Sequence, residues 1–322
     1  MADGSLGAAA QGAAAVLRNI HARRTLAVDP FQSGISSDGS RMTSFKLRHA
    51  SIYTFSAPVI LGPHQLYLRP RGDHKMRVAG SSLTLSPPAE VLWRNDLYGN
   101  SVAIAKFAGQ SDRLEIISEL DVETFPRSEE QRRSLLETGG FLYSPVELRV
   151  LEPFTIMDPV HVGPVADWVE HASLSRTKSI YERLLECAAR IKFEFDYRVR
   201  YEPGLQTPAE TLQLHSGTCR DFAELMMAAA RYLGYAARFI TGYVYTPNAA
   251  PGSSSPHAWA EVYIPGSGWI EVDATNGLID DGDLIPVASA SSGAELTPIS
   301  GTFEGADVTS QMTVEVDVVK QG

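Results

Sequence analysis

A change of hydrophobic period part-way along the chain constrains the fold more than any other feature. From about Phe45 to Phe125, apolar residues recur at every second position. Leu114, Ile116, Ser118, Leu120 and Val122 alternate with Glu115, Glu119, Asp121 and Glu123, and Ile117 is the one intruder. Such alternation makes one apolar and one charged face, as in a half-buried antiparallel strand. Similar runs surround Ile52–Phe55, Gln65–Arg69, Ser82–Ser86 and Ser101–Phe107, with turn signals at Gly62-Pro63, Pro87-Pro88 and Gly99-Asn100. Short strands at this spacing predict a β-sandwich. His49, His64 and His74 group into no catalytic pattern and read as surface or strand residues.

Residues 126–164 are a transition, with an Arg/Glu-rich stretch and several prolines. Beyond it the period becomes helical. Ile180, Leu184, Cys187, Ala188 and Ile191 share one helix face, so Cys187 reads as a small buried apolar residue. A second helix follows Gly217, carrying Phe222, Leu225, Met226, Ala229 and Leu233, with Gly234 where a C-terminal cap belongs. Three strand-like runs come next, Ala237–Tyr245, His257–Ile264 and Trp269–Asp273, the first two separated by a Pro/Ser-rich loop. Helices followed by consecutive antiparallel strands predict an α+β domain. The expected organisation is a tail over 1–41, a β-sandwich over 42–140 and an α+β core with C-terminal strands over 141–322. The first segment is rich in Ala, Gly and Ser and lacks the continuous apolar run of a secretory signal. It bears Arg and few acids, which would also suit an organelle transit peptide, but its composition reads as a disordered tail.

Charge and cysteine usage exclude several function classes. The net charge of −10 repels phosphate backbones and argues against a nucleic-acid partner. Apolar runs are too short for a membrane span. Cys187 and Cys219 are the two cysteines, far apart and in no Cys-x-x-Cys pair, so neither a disulfide framework nor a structural zinc site is expected. Free thiols fit a reducing compartment, and the expected location is cytoplasmic.

One constellation carries chemistry. Thr218 and Asp221 stand in the relation of a capping box, which makes Cys219 the first residue of its helix. Unpaired amides and the positive end of the helix dipole favour a thiolate there, the form that attacks carbonyls. His257 opens a strand directly after the loop and suits the role of base. Asp273 ends the next strand sixteen residues on and suits the acceptor that fixes the tautomer. A hairpin symmetric about Pro265 would make His257 and Asp273 direct cross-strand neighbours, unless a bulge shifts the register. On spacing alone the triad is no better supported than a coincidence of common residues. A zinc site from the same three side chains is weaker still, because no local pair of ligands anchors it. Asp221 reads as a helix-capping acid, and Trp259 and Trp269 as hairpin packing.

The stretches Gln206-Thr-Pro-Ala-Glu-Thr-Leu212, Gly217-Thr-Cys-Arg-Asp-Phe-Ala223, His257-Ala-Trp-Ala-Glu-Val-Tyr263 and Trp269-Ile-Glu-Val-Asp-Ala-Thr-Asn-Gly277 together resemble the bacterial transglutaminase-like cysteine peptidases. Leu47-Arg-His-Ala-Ser-Ile-Tyr-Thr-Phe55 and Leu61-Gly-Pro-His-Gln-Leu-Tyr-Leu-Arg-Pro-Arg71 are similar to the β-sandwich that precedes the core in that family. The resemblance spans about Phe45 to Gly305. It implies a papain-like core and acyl transfer through Cys219, His257 and Asp273, with no cofactor and no metal. Backbone amides at Cys219 would be oxyanion donors, with Gln206 or Tyr197 as candidate side-chain donors. Two stretches depart from the family pattern. Asp273-Ala-Thr replaces the usual Asp-Pro-Thr, and Ala290-Ser-Ser-Gly293 stands where a Gly-Arg-Asp-Tyr stretch is typical. The expected activity is hydrolysis of a peptide or other amide substrate. Transamidation and a non-catalytic peptide-binding module are the competing readings. A calcium-dependent crosslinker has little support, as no EF-hand-like loop occurs.

Overall fold

The computed structural model describes residues 42–136, 142–171, 180–200, 204–250, 252 and 254–321. The segment expected to be a tail, residues 1–41, lies outside the described residues.

Six strands open the described chain: β1 (Thr43–Leu61), β2 (His64–Arg69), β3 (Met76–Ser86), β4 (Ala89–Asn95), β5 (Ser101–Phe107) and β6 (Gln110–Thr124). β1, β6 and β3 form one antiparallel sheet, and β2, β5 and β4 form a second. Sequence reasoning missed β4, whose residues are mostly half-buried or exposed. The alternation along β6 has the predicted effect, since Leu114, Ile116, Ser118, Leu120 and Val122 are all buried. Full burial of each such apolar side chain stabilises by about 1.5–3 kcal/mol. That single face serves two cores. Leu114 and Ile116 pack with Phe55, Val59, Leu61, Leu66, Leu68, Ala103 and Ala105 between the two sheets. Leu120 and Val122, with Phe45, Leu47 and Met76, belong to the core of the following α+β region.

Polar groups mark the passage from one core to the other. Ser118 donates to the Leu68 carbonyl at 3.3 Å. His49 is hydrogen-bonded through Nδ1 to the Tyr243 hydroxyl at 2.7 Å and through Nε2 to Ser51 at 2.9 Å. Burial pushes the His49 imidazole down to about 4, so it is neutral near pH 7. His49 and His64 are thus strand residues with buried side chains, while His74 is exposed.

Three helices occupy the proline-bearing stretch: α1 (Glu129–Leu136), α2 (Pro145–Thr155) and α3 (Pro159–His171). Ser144 and Glu147 cap α2 reciprocally, with Pro145 at its first position, where a missing N–H costs nothing. α4 (Ile180–Glu194) buries Leu184, Cys187, Ala188 and Ile191, the predicted face. The short strand β7 (Asp196–Tyr197), α5 (Pro208–Leu214), β8 (Ser216–Gly217) and α6 (Cys219–Tyr232) follow. Leu233 caps α6, and Gly234 turns away with φ +90°, which glycine adopts without strain. α6 packs its apolar face on a five-stranded antiparallel sheet of order β12-β11-β10-β9-β13. These strands are β9 (Ala237–Val244), β10 (His257–Ile264), β11 (Gly268–Asp273), β12 (Leu278–Ile279) and β13 (Leu284–Ala290).

The last strands go back to the first sheets. β14 (Ile299–Ser300) pairs with β2, while β15 (Phe303–Glu304) and β16 (Ser310–Gln321) pair with β1. Grouping the C-terminal strands with the core, as the sequence suggested, therefore separates them from the sheets they complete. Residues 42–322 form one compact unit. Among the described residues, no helix is long and apolar enough to cross a membrane.

Candidate active site

The site begins at the start of α6. Thr218 accepts from the Asp221 amide, and the Asp221 carboxylate accepts from the Thr218 amide and hydroxyl at 2.8 and 2.9 Å. Cys219 is the first helical residue, as the sequence predicts, and is 7% exposed. Asp221 does more than cap. Its fully buried carboxylate also accepts from Arg200 Nη2 at 2.9 Å and from the Gln206 amide at 2.8 Å. The same carboxylate thus ties the segments before α5 to the helix that presents the thiol. Gly217 lies against Asp221 and Phe222 with no room for a Cβ.

His257 and Asp273 come from the β10–β11 hairpin. They are not direct cross-strand neighbours. Ala260 pairs with Val272 and Ile264 with Gly268, so the hairpin is centred on Gly266, one residue beyond Pro265. Gly266 and Gly268 both have positive φ, and this turn chemistry shifts the register by two. An even shift keeps both side chains on one face, and the diagonal separation is still bridged. His257 Nε2 lies 2.9 Å from Asp273 Oδ2.

Asp273 is fully buried and accepts four hydrogen bonds. Oδ1 takes the backbone amides of Thr275 and Asn276 at 2.9 and 3.2 Å. Oδ2 takes His257 Nε2 and Asn276 Nδ2, the latter at 2.7 Å. Asn276 Nδ2 also lies 3.2 Å from His257 Nε2. Sequence reasoning missed Asn276. The signal was local: an Asp followed by a tight turn puts the residue three positions on beside its carboxylate.

With Nε2 committed to Asp273, the ring's other nitrogen is left for the sulfur. The Cys219 side chain lies close enough to His257 to favour the charged form of its ring. Burial lowers the His257 pKa, but the bond to Asp273 and the charges of Asp273 and Cys219 outweigh it, raising the value to about 10. Tyr197, half-exposed on β7, lies near Cys219. Burial first, then the charge of Cys219, lifts its phenol to about 12, so it is a protonated donor at neutral pH. Gln206 is buried, and its Oε1 accepts from Thr211 at 3.2 Å, which leaves its amide nitrogen as the free end. Cys187 lies apart in the α4 face, where burial pushes its thiol up to about 12. Among the described residues, no group of three His, Cys, Asp or Glu side chains is arranged to hold a metal ion.

The departing segment, Ala290–Gly293, leaves the end of β13 and is bonded to α6 side chains. Arg220 donates to the Gly293 carbonyl at 2.8 Å, Arg231 to Ser291 at 2.6 Å, and Glu224 accepts from Ser292 at 3.1 Å.

Cys219 thus opens a helix that packs on an antiparallel sheet, and His257 and Asp273 are bonded to each other on the hairpin of that sheet. Residues 169–274 match the family model of the transglutaminase-like superfamily, and residues 45–123 that of the bacterial transglutaminase-like N-terminal region. Together the two matches place this chain among the bacterial transglutaminase-like proteins, with an α+β fold. An uncharacterized protein of Mycobacterium tuberculosis is 27% identical over 307 residues, covering 89% of this chain and 96% of that protein. One from Mycobacterium leprae, also uncharacterized, is 22% identical over 289 residues, covering 87% and 99%. In fold, the chain is similar to a Cytophaga hutchinsonii crystal structure provisionally assigned as a cysteine protease. The TM-score is 0.67 at 22% identity, over 88% of this chain and 92% of that one.

Proposed function

We propose that this protein hydrolyses peptide or other amide bonds through a thioester on Cys219. The observation that carries the reading is the His257 imidazole, held by a fully buried Asp273 on one side and close enough to Cys219 for the two to interact. The thiolate attacks the amide carbonyl, and the charge that develops on oxygen needs donors. The Cys219 backbone N–H, one of the first helical amides without an intrahelical acceptor, is the first of them. Tyr197 and Gln206 supply candidate side-chain donors beside it. His257 passes its proton to the departing amine as the C–N bond breaks and the thioester forms. It then takes a proton from water, whose oxygen attacks the thioester to release the acid and restore the thiolate. Hydrolysis is favoured over transamidation because water needs no second acceptor site. The mechanism uses no cofactor or metal, and the reducing cytoplasm keeps both thiols free.

Alkylation by iodoacetamide at Cys219 and Cys187, followed against pH in wild type and His257→Ala, tests the reading. Cys219 should react well below the range of an ordinary thiol, and more slowly near neutral pH without His257, while Cys187 stays inert. An ordinary, His257-independent titration of Cys219 would replace hydrolysis with a peptide-binding role. An activated Cys219 justifies a screen of amide substrates, with amine incorporation as the measure of transamidation.

A further inference from the structure

Between the β10–β11 hairpin, the residues that lead into β3 and the end of β6 lies a cavity of about 410 Å³. It is large enough for a small organic molecule. Neither Cys219 nor His257 lines it. Its inner wall carries three buried carboxylates, of which two are held in direct ion pairs. Glu261 is paired with Arg238 at 2.5 Å. Asp280 is paired with Lys75 at 2.6 Å and Arg127 at 2.9 Å. Glu271 is the third. It is 5% exposed, stands directly across the strand pair from Glu261, and its Oε1 is fully buried with no hydrogen-bond partner. A buried acid in that position needs a donor from elsewhere. Like charges facing each other across a strand pair sharpen the need.

We propose that this cavity binds a small molecule bearing a primary ammonium group, with Glu271 as its counter-charge. The ammonium supplies the hydrogen-bond donor that Glu271 alone lacks among the three carboxylates, and adds its charge to that of Lys75. Because the cavity excludes Cys219 and His257, an amine held there is not the acyl acceptor of the reaction proposed above.

Proton linkage gives the site a signature. Burial raises the Glu271 carboxyl to about 8; the charge of Lys75 opposes this, and those of Glu261, Asp280 and Asp73 add to it. In the empty cavity at pH 7 the acid is therefore mostly neutral. On binding, the ammonium keeps its protons and Glu271 releases its own to the buffer. Binding at pH 7 should release close to one proton and at pH 9 very little, and affinity should rise by about tenfold between the two.

The experiment is isothermal titration of the full chain with methylamine, n-butylamine and putrescine, and with n-butanol as the uncharged control. Titrations at pH 7 in phosphate and in HEPES, whose ionisation enthalpies differ, count the protons released. Expected is saturable binding of n-butylamine and putrescine with proton release, unchanged in Cys219→Ala and weakened at least about tenfold in Glu271→Gln. The proton count is read on wild type, so the test stands even if the Glu271 variant folds poorly. Four outcomes overturn the proposal: no saturable binding by any of the three amines, binding without proton release at pH 7, equal binding of n-butanol, or binding lost in Cys219→Ala. A failure of this kind leaves the alkylation test of the proposed hydrolase untouched, and an unreactive Cys219 leaves this site untouched.

Discussion

Replacing Asp273 by Asn keeps the shape of the side chain and turns one hydrogen-bond acceptor into a donor. The new carbonyl can retain the two backbone amides, at 2.9 and 3.2 Å. Its amide then faces Asn276 Nδ2, donor against donor at a separation of 2.7 Å. A buried donor left unmatched costs about 1–3 kcal/mol, which is the expected loss in chemical denaturation. The effect on chemistry is larger. An amide beside His257 Nε2 makes that nitrogen the acceptor and puts the ring proton on Nδ1, toward the sulfur. His257 can no longer take the thiol proton, and burial, now unopposed by the carboxylate, disfavours a charged ring. An isolated thiol is ionised to roughly 0.3% at pH 6. Alkylation of Cys219 at pH 6 should therefore slow by about a hundredfold, and turnover by about 10⁴-fold, the scale of such a change in serine-protease triads. Adding Asn276→Asp places a carboxylate where Nδ2 stood, 3.2 Å from His257 Nε2, and gives the new amide an acceptor. The double variant should recover part of the alkylation rate. Wild-type alkylation by a well-folded Asp273→Asn single variant would refute the reasoning.

Asn276→Ala removes one of the four bonds to Asp273 and should cost about 1 kcal/mol in denaturation, with a smaller loss of alkylation rate than Asp273→Asn. Asp221→Ala leaves Arg200 and the Gln206 amide without their acceptor and should destabilise by about 3–5 kcal/mol in urea unfolding. Gly242→Ala puts a methyl group into the Ile285 carbonyl and the Trp259 ring beside His257, so a loss of about 1–3 kcal/mol in thermal melting is expected. The His257 pKa is raised from 6.5 to about 10 in the fold, so its pairing stabilises fully below pH 6.5 and fades as pH rises through about 10. Melting temperatures of wild type should accordingly fall faster than those of His257→Gln between pH 7 and 10.

What the sequence revealed divides along physical lines. Capping is local chemistry, so Thr218, Cys219 and Asp221 could be placed to the residue, and so could both ends of β10 and the last residue of β11. Alternation in β6 gave the sandwich face, because burial of one strand face leaves a direct imprint on composition. Register was different. It depended on the left-handed conformations of Gly266 and Gly268, and a count from Pro265 put the pairing two residues out. α2 and α3 were obscured by their prolines, although Ser144, Pro145 and Glu147 form a start signal of the most favourable kind. The pairing of β16 with β1 joins segments more than 250 residues apart and has no local signature at all.

That last pairing sets an order of assembly. The first sheet is translated early, yet β1 keeps an open edge until residues 310–321 have emerged to zip along Ser44–Phe55. An unpaired strand of this length invites association with other chains, so the interval before closure is when this protein is most exposed to aggregation. The same closing strand reaches the site. Asp317 accepts from the Gly252 amide and Val316 bridges to Ser254, which fasten the loop that delivers His257. The imidazole is therefore seated late, and the nascent chain carries the Cys219 thiol without the partner that would arm it from the synthesis of residue 219 until residues 310–321 have emerged.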